Sequence, residues 1–374
     1  MDLVSIVIPI YNGEKYVDAC ISKLLRQTYR NIEILCIPNN CSDRSVELCS
    51  HWAQKDSRVK VYVNQEKGTS LARKRGVMEA QGRYIVFMDC DDEYATNNAI
   101  KKMVAAIKED NVQICQFEYI VQYPIKFLRR RMHVVRENKI YQRDEMLSGP
   151  FLGAVQGRGG NFNVSAWSKI YDSKILKAAA ANMTGAYTCG DDMQQGLYAF
   201  SGEMTQSVSC RKEAHYVYNV GRGITANPNV IFMLLRDYQA VKMEISAVAR
   251  KLNVNEDFFI HLWSESLYCF KLGITDAINR GLDKTEILQK IEAIDQYTYI
   301  QTAKDYFRNL IDSGWLERPD SRMYLLRYEN EHNVENLRFM CSDYTSEDYY
   351  NWCLINRKKP SIISKVKKFI HKLI

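Results

Sequence analysis

Tyr84-Ile85-Val86-Phe87-Met88-Asp89-Cys90-Asp91-Asp92 is the stretch on which the fold of this chain turns. Five apolar residues read as a buried strand, and two carboxylates at D-x-D spacing, Asp89 and Asp91, follow at its carboxyl end. An open α/β sheet gathers its ligands at that end of its strands. Hard oxygen donors there suit a magnesium or manganese ion that carries phosphates. An Asp-rich turn can also merely cap the next helix, so the surrounding sequence has to decide.

Upstream, Val4-Ser5-Ile6-Val7-Ile8-Pro9 is β-branched on both faces, as a parallel strand covered on both sides would be. Pro9 lacks an N–H and is expected to end that strand. Asn12 is expected to cap a helix whose Val17, Cys20, Ile21, Leu24 and Leu25 share one face. Glu33-Ile34-Leu35-Cys36-Ile37 then reads as a second strand, Ser42 or Asp43 as the cap of a helix through Val46, Cys49, Trp52 and Ala53, Val59 to Val63 as a third strand, and Ser70 to Ala80 as a helix. Alternating β and α units imply a mostly parallel, Rossmann-like sheet with helices on both faces.

These segments, in this order, resemble the inverting family 2 glycosyltransferases of the GT-A fold. The likeness is carried by Val4 to Asn12, by Gly68-Thr69-Ser70-Leu71-Ala72-Arg73, and by Gly82 to Asp92. It is specific over roughly the first hundred residues and weaker to about residue 225. The resemblance implies that Pro9 and Tyr11 lie along the nucleotide base and that Arg73 faces the nucleotide. It likewise implies that Asp89 meets the ribose side and, with Asp91, the metal. The later pair Asp191-Asp192 matches the family's Glu-Asp pair, which makes Asp192 the general base and Asp191 its partner; the two also open a helical pattern, where carboxylates favour the helix dipole. Trp167 and Lys169, in Ser165 to Tyr171, fall in the stretch that precedes the acceptor side.

Two departures concern the nucleotide. Many relatives carry Asp-Asp-Gly-Ser after the second strand, whereas this chain reads Pro38-Asn39-Asn40-Cys41. Asn39 therefore stands where a carboxylate would accept from a base imide N–H, and it brings both a carbonyl acceptor and an amide donor. Glu66 and Lys67 occupy positions where relatives often have Asn and Gly.

The chain has 374 residues, 46% of them hydrophobic, and a net charge of +7. Its 11 cysteines include no C-x-x-C pair, which suits reduced thiols in a cytoplasm. No signal-peptide pattern opens the chain, and no apolar run reaches about 18 residues. Basic residues Arg357, Lys358, Lys359, Lys365, Lys367, Lys368 and Lys372 crowd the last stretch without an acid, and Ile362, Ile363, Val366, Phe369, Ile370, Leu373 and Ile374 face away from them on a helix. Such a helix reads as an anchor on anionic lipid. It lacks the interleaved aromatics of a single-strand platform, so nucleic acid is not an expected partner.

The reading is a catalytic domain over residues 1–226, a helical region over 227–356 and a basic amphipathic tail over 357–374. The expected activity is a Mn2+- or Mg2+-dependent inverting transfer from a nucleotide-diphosphate sugar, UDP-sugar favoured, to a hydroxyl of a glycan or lipid-linked glycan in bacterial surface polysaccharide synthesis, on the cytoplasmic face of the membrane. A sugar nucleotidyltransferase would share the metal but calls for a Gly-rich turn after the first strand, which Pro9 to Gly13 is not. A non-catalytic, membrane-associated sugar-binding or scaffold protein of the same fold is the other alternative, supported by Pro38 to Cys41 alone.

Overall fold

The computed structural model describes residues 1–125, 128–148, 162–163, 165–188, 190–223, 230–254, 256–314 and 333–356. In chain order its amino-terminal part runs β1 Val4–Ile10, α1 Val17–Leu25, β2 Ile32–Pro38, α2 Ser45–Lys55, β3 Val59–Val61, α3 Thr69–Glu79, β4 Tyr84–Phe87, β5 Glu93–Tyr94, α4 Ala99–Asp110 and β6 Ile114–Gln122. It continues with β7 Arg129–Met132, β8 Lys139–Gln142, α5 Arg143–Ser148, β9 Lys169–Asp172, α6 Ser173–Asn182, α7 Asp191–Ser201 and β10 Ser207–Asn219. The strands form one sheet in the order β3-β2-β1-β4-β9-β6-β10-β5, with β7 on β6 and β8 on β10.

The first four neighbours, β3-β2-β1-β4, are all parallel, as the largely apolar runs of β1, β2 and β4 predict. Beyond β4 the sheet is mixed: β9 runs antiparallel to both β4 and β6, while β10 is parallel to β6. The order turns around at β1, whose successors β2 and β3 lie on one side and β4 on the other, so the carboxyl ends of β1 and β4 form the crevice where this class of sheet holds ligands. At the opposite end Glu33 ties the amino-terminal parts together: Ser5 Oγ donates to its Oε1 at 2.6 Å and Lys60 Nζ to its Oε2 at 2.7 Å. Burial pushes the Glu33 carboxyl up, but the donors Lys60, Ser5 and the Gln81 N–H outweigh it and hold the group below the usual carboxylate range.

Three local expectations are corrected. Pro9 does not end β1; it pairs with Ile37, and the strand continues to Ile10. The missing N–H costs nothing because hydrogen bonding alternates sides in a parallel sheet. Val7 accepts from Met88 on the β4 side, Ile10 accepts from Asn39 on the β2 side, and Pro9 therefore faces the side on which pairing with β4 has stopped at Phe87. Nor does Asn12 cap α1. It adopts φ 47° and its Oδ1 accepts from the Ser42 N–H at 2.8 Å, tying the turn after β1 to the turn after β2. At α2 the N-cap is Arg44, without a side-chain cap, rather than Ser42 or Asp43; Asp43, one residue earlier, accepts from the Ser45 N–H through Oδ1 at 3.0 Å.

The remaining described helices are α8 Val230–Lys251, α9 Glu256–Arg280, α10 Lys284–Asp295, α11 Thr298–Asp312, α12 Asn333–Cys341 and α13 Ser346–Ile355. Two compact units result, one of Met1–Asp237 with Ala247–Val254, the other of Tyr238–Ser246 with Asn255–Ile374. The second unit is helical, and Trp263, Phe270, Tyr299, Phe307 and Tyr349 form its fully buried centre. Among the described residues no helix is long and apolar enough to cross a membrane. The boundary expected at 226/227 and the tail over 357–374 lie outside the described residues.

Helix α3 approaches β1 closely at Gly76, where an added Cβ would lie 2.3 Å from Val7 Cγ1. Gly76→Ala is expected to destabilise by about 1–3 kcal/mol through overpacking, although alanine is the better helix former by about 1 kcal/mol. Urea unfolding of Gly76→Ala, Val7→Ala and the double variant checks this: the double variant should be more stable than the sum of the single losses implies.

Candidate active site

Two segments more than a hundred residues apart meet at the amino end of α3. Ser70, in its first turn, donates its N–H to Tyr187 O at 3.0 Å and its hydroxyl to Gly185 O at 3.1 Å, while Tyr187 N–H donates back to Ser70 Oγ at 2.8 Å. This stitch brings the start of α7 beside the next turn of α3, and there stands Arg73. Its guanidinium donates through Nη2 to Asp89 Oδ1 at 3.0 Å and through Nη1 to both Asp191 and Asp192. One cation, 3% exposed, thus joins the D-x-D segment to the second carboxylate pair.

The charges shift accordingly. Burial by itself would lower the Arg73 pKa, but Asp191, Asp192 and Asp89 raise it well above its ordinary value. Asp191 is pushed up to about 7 by burial, against the pull of Arg73. Burial also raises Asp192, and Arg73 again opposes it. Their exposures differ: the Asp192 side chain keeps 25% of its surface and the Asp191 side chain 8%. Asp192 is the one of the pair open to a bound reactant, and Asp191 reaches Arg73 despite being a methylene shorter than Glu.

On the D-x-D side, burial and then the neighbouring Asp89 raise Asp91 to about 6. Gly223 sits against it with φ +53°, and a Cβ there would come within 2.7 Å of Asp91 Oδ2, so glycine is needed both for the left-handed backbone and for the close approach. Two neighbouring carboxylates, Asp91 with raised proton affinity beside Asp89, are a donor set that a hard divalent cation fits. Among the described residues no group of three or more His, Cys, Asp or Glu side chains could hold a metal. Asp89 and Asp91 would therefore supply two positions and leave the others to water and phosphate oxygens, the pattern magnesium favours.

The remaining expected residues fall into two groups. Pro9 and Tyr11 lie at the carboxyl end of β1, with Tyr11 53% exposed and Lys67 Nζ 5.8 Å from the centre of its ring. Asn39 lies at the end of β2, where Asn64 Nδ2 donates to its Oδ1 at 3.0 Å. Because the same Asn64 Nδ2 also donates to the Glu66 carbonyl at 2.9 Å, the orientation of both amides is settled by their partners. One lone pair of the Asn39 carbonyl oxygen is thus engaged, which leaves the second lone pair and the NH2 to offer. Trp167 and Lys169 are in the interior. Trp167 is stacked on Tyr216 at 4.5 Å and on Tyr218 at 5.7 Å. Lys169 is 1% exposed, donates to Asn163 Oδ1 at 2.7 Å and to the Ser165 carbonyl, and is lowered to about 7 by burial.

Sequence reasoning missed Tyr216, Asn219 and Arg222 at the end of β10. Tyr216 Oη accepts from the Asp89 N–H at 3.1 Å and donates to Asp92 Oδ2 at 2.7 Å. Asn219 Nδ2 and Arg222 Nη1 donate to the Asp91 carbonyl at 2.9 and 3.3 Å. A cavity of about 700 Å³ opens beside Asp91, lined also by Tyr16, Lys23, Arg129 and Arg222. The sequence signal for Tyr216 is the alternation that puts it on the same face of a strand as Tyr218.

Residues 5–165 match the family model described as glycosyl transferase family 2. The "Uncharacterized glycosyltransferase EpsJ" of Bacillus subtilis (strain 168) is 37% identical over 230 residues, covering 61% of this chain and 62% of that protein. An Escherichia coli protein named "UDP-Glc:alpha-D-GlcNAc-diphosphoundecaprenol beta-1,3-glucosyltransferase WfgD" is 34% identical over 118 residues, 31% of this chain and 46% of that protein. The chain therefore spans less than two thirds of the length of either. Among solved structures, S. aureus TarS 1-349 in complex with UDP-GlcNAc superposes with a TM-score of 0.61 at 18% identity, covering 93% of this chain and 92% of that one, a likeness of fold.

Replacing Arg73 by Met would leave Asp89, Asp191 and Asp192 without their shared cation. The expected loss is about 3–5 kcal/mol, the usual consequence of removing one partner from a buried ion pair. With Arg73 gone the two α7 carboxyls rise further above their unfolded value, so the penalty should be smaller at pH 5.5, where protons are taken up, than at pH 8. Urea unfolding of Arg73→Met and wild type at both pH values measures it; a penalty independent of pH would refute the electrostatic account.

Proposed function

We propose, from the match of residues 5–165 to the glycosyl transferase family 2 model, that this chain moves a sugar from a nucleotide-diphosphate donor to a hydroxyl of a glycan acceptor with inversion at the anomeric carbon. The observation that supports the reading most is the Arg73 cluster, in which one buried guanidinium links Asp89 to Asp191 and Asp192. It puts a candidate base and a candidate diphosphate site at opposite ends of the same cation.

In the proposed reaction Asp192 takes the proton of the acceptor hydroxyl as that oxygen bonds to the anomeric carbon. The bond from that carbon to the phosphate oxygen breaks on the opposite face, and the nucleotide diphosphate leaves with the electron pair. Arg73 has two tasks. It holds Asp192 in place, and it keeps positive charge next to Asp89 where the leaving group gathers negative charge. Asp91 and Asp89 would hold Mn2+ or Mg2+, which when bound supplies the charge that neutralises the departing diphosphate. The elevated proton affinity of Asp192 suits a base that must accept a proton near neutral pH.

UDP-sugar is the favoured donor, in keeping with the UDP-Glc in the name of the E. coli relative and the UDP-GlcNAc in the TarS complex. At the base, Asn39 would give its NH2 to a ring carbonyl, and its carbonyl oxygen, already accepting from Asn64, would be a weaker acceptor for an imide N–H than a carboxylate. The acceptor is proposed to be a growing surface glycan, lipid-linked as in the name of that same relative. The basic, apolar-sided tail over 357–374 would hold the enzyme at the cytoplasmic face of an anionic membrane. The scaffold alternative gains nothing from Asn39, which is as able to bind a base as to forgo one.

A melting-temperature panel of UDP, CDP, GDP and their sugars with Mn2+ tests the donor site. Stabilisation by one of them that is lost in Asp91→Ala is the expected outcome, and no shift at millimolar ligand would end the donor-site reading. Asn39→Asp should raise the preference for UDP over CDP about tenfold, because a carboxylate accepts from the uracil N3–H and repels the cytosine N3 lone pair. Asp192→Asn should retain donor binding and lose about 10²–10⁴ in kcat. In wild type, kcat/KM should fall as pH is lowered through the raised pKa of Asp192, an acid limb displaced upward from the ordinary carboxylate value of 3.8.

A further inference from the structure

Residues 89–92 have to bridge the sheet. On their amino side β4 lies between β1 and β9; on their carboxyl side β5 lies at the far edge, paired with β10 through Tyr216–Tyr94 and Val217–Glu93. A turn that crosses between separate parts of a sheet has no ladder of its own to hold its side chains. Here β10 supplies the missing partners. Tyr216 Oη accepts from the Asp89 N–H at 3.1 Å and donates to Asp92 Oδ2 at 2.7 Å, and the Asn219 N–H donates to Asp92 Oδ1 at 2.7 Å. A backbone N–H can only donate, so the phenol oxygen accepts from Asp89, and its own hydroxyl is within hydrogen-bond reach of Asp92 Oδ2.

We infer that Tyr216, with Asp92 and Asn219, is the positioning element that sets Asp89 and Asp91 for cation and diphosphate binding; this rests on the donor-site reading above. Of the three carboxylates in the segment, Asp92 commits both oxygens to β10 and is 5% exposed, which assigns it to anchorage and leaves Asp89 and Asp91 for the ligand. The backbone carbonyl of Asp91 is held from the same strand end by Asn219 Nδ2 at 2.9 Å. The ring of Tyr216 is itself fixed by Trp167, stacked on it at 4.5 Å and 17°. Trp167, expected at the acceptor, thus acts on the donor side by holding the phenol in place.

Tyr216→Phe removes the hydroxyl and keeps the ring, its stack and its volume. Tyr94→Phe is the control: this neighbouring phenol is buried, has no hydrogen-bond partner among the described residues, and meets Tyr216 edge-on at 6.1 Å. Calorimetric titration of UDP in the presence and absence of Mn2+ should show Mn2+-dependent affinity about tenfold weaker in Tyr216→Phe, the loss of one to two hydrogen bonds, and unchanged in Tyr94→Phe. Asp92→Asn, which sets an amide N–H against the phenol, should weaken binding by a similar factor, and the Tyr216→Phe/Asp92→Asn double variant should be no worse than either single one. A folded Tyr216→Phe that binds Mn2+ and UDP as wild type does overturns the inference. Failure of wild type to bind any nucleotide with Mn2+ overturns the donor-site reading beneath it.

Discussion

The site is organised around one buried cation. Arg73 is enclosed to 3% exposure, and a guanidinium in such a place is tolerated only because carboxylates surround it. Asp89, Asp191 and Asp192 answer that need, and in doing so they bring the turn after β4 against the first turn of α7. The cluster therefore constrains the fold as much as the chemistry. Helix α3, which carries Arg73, can lie low enough on the sheet to reach these groups because Gly76 has no side chain to hold it away from Val7.

The same logic of borrowed partners runs through the D-x-D segment. Strand β4 ends its parallel pairing at Phe87, and the residues beyond it take their hydrogen bonds from Tyr216 and Asn219 of β10. Two distant stretches thus define one site, α7 through Arg73 and β10 through Tyr216.

What could be read in the sequence follows from how local each interaction is. Strands β1, β2 and β4 were legible because parallel strands buried on both faces are mostly apolar, and α1 shows one apolar stripe. Pro9 was misjudged because the cost of a missing N–H depends on which neighbour the residue faces, a property of the pairing and not of the residue. Asn12 was misjudged because its side chain had two candidate partners and took Ser42, in another loop. The contact of Arg73 with Asp191 spans 118 positions and that of Tyr216 with Asp92 spans 124; no periodicity or capping rule reaches so far, and the family resemblance alone put the first pair in view. Trp167 and Lys169 show the converse, since motif position placed them near the acceptor and packing placed both in the interior.

The charges of the assembled site carry one more consequence. Arg73 brings a single positive charge to Asp89, Asp191 and Asp192, and Asp91 adds a fourth carboxylate close to Asp89. Fully ionised, these groups sum to three negative charges, and the raised proton affinities of Asp91, Asp191 and Asp192 express the strain of that excess on top of burial. A nucleotide diphosphate is itself an anion, so it would meet repulsion at such a site unless positive charge entered with it. On the proposed function, metal and nucleotide affinity must then be coupled, each strengthening the other by the same factor.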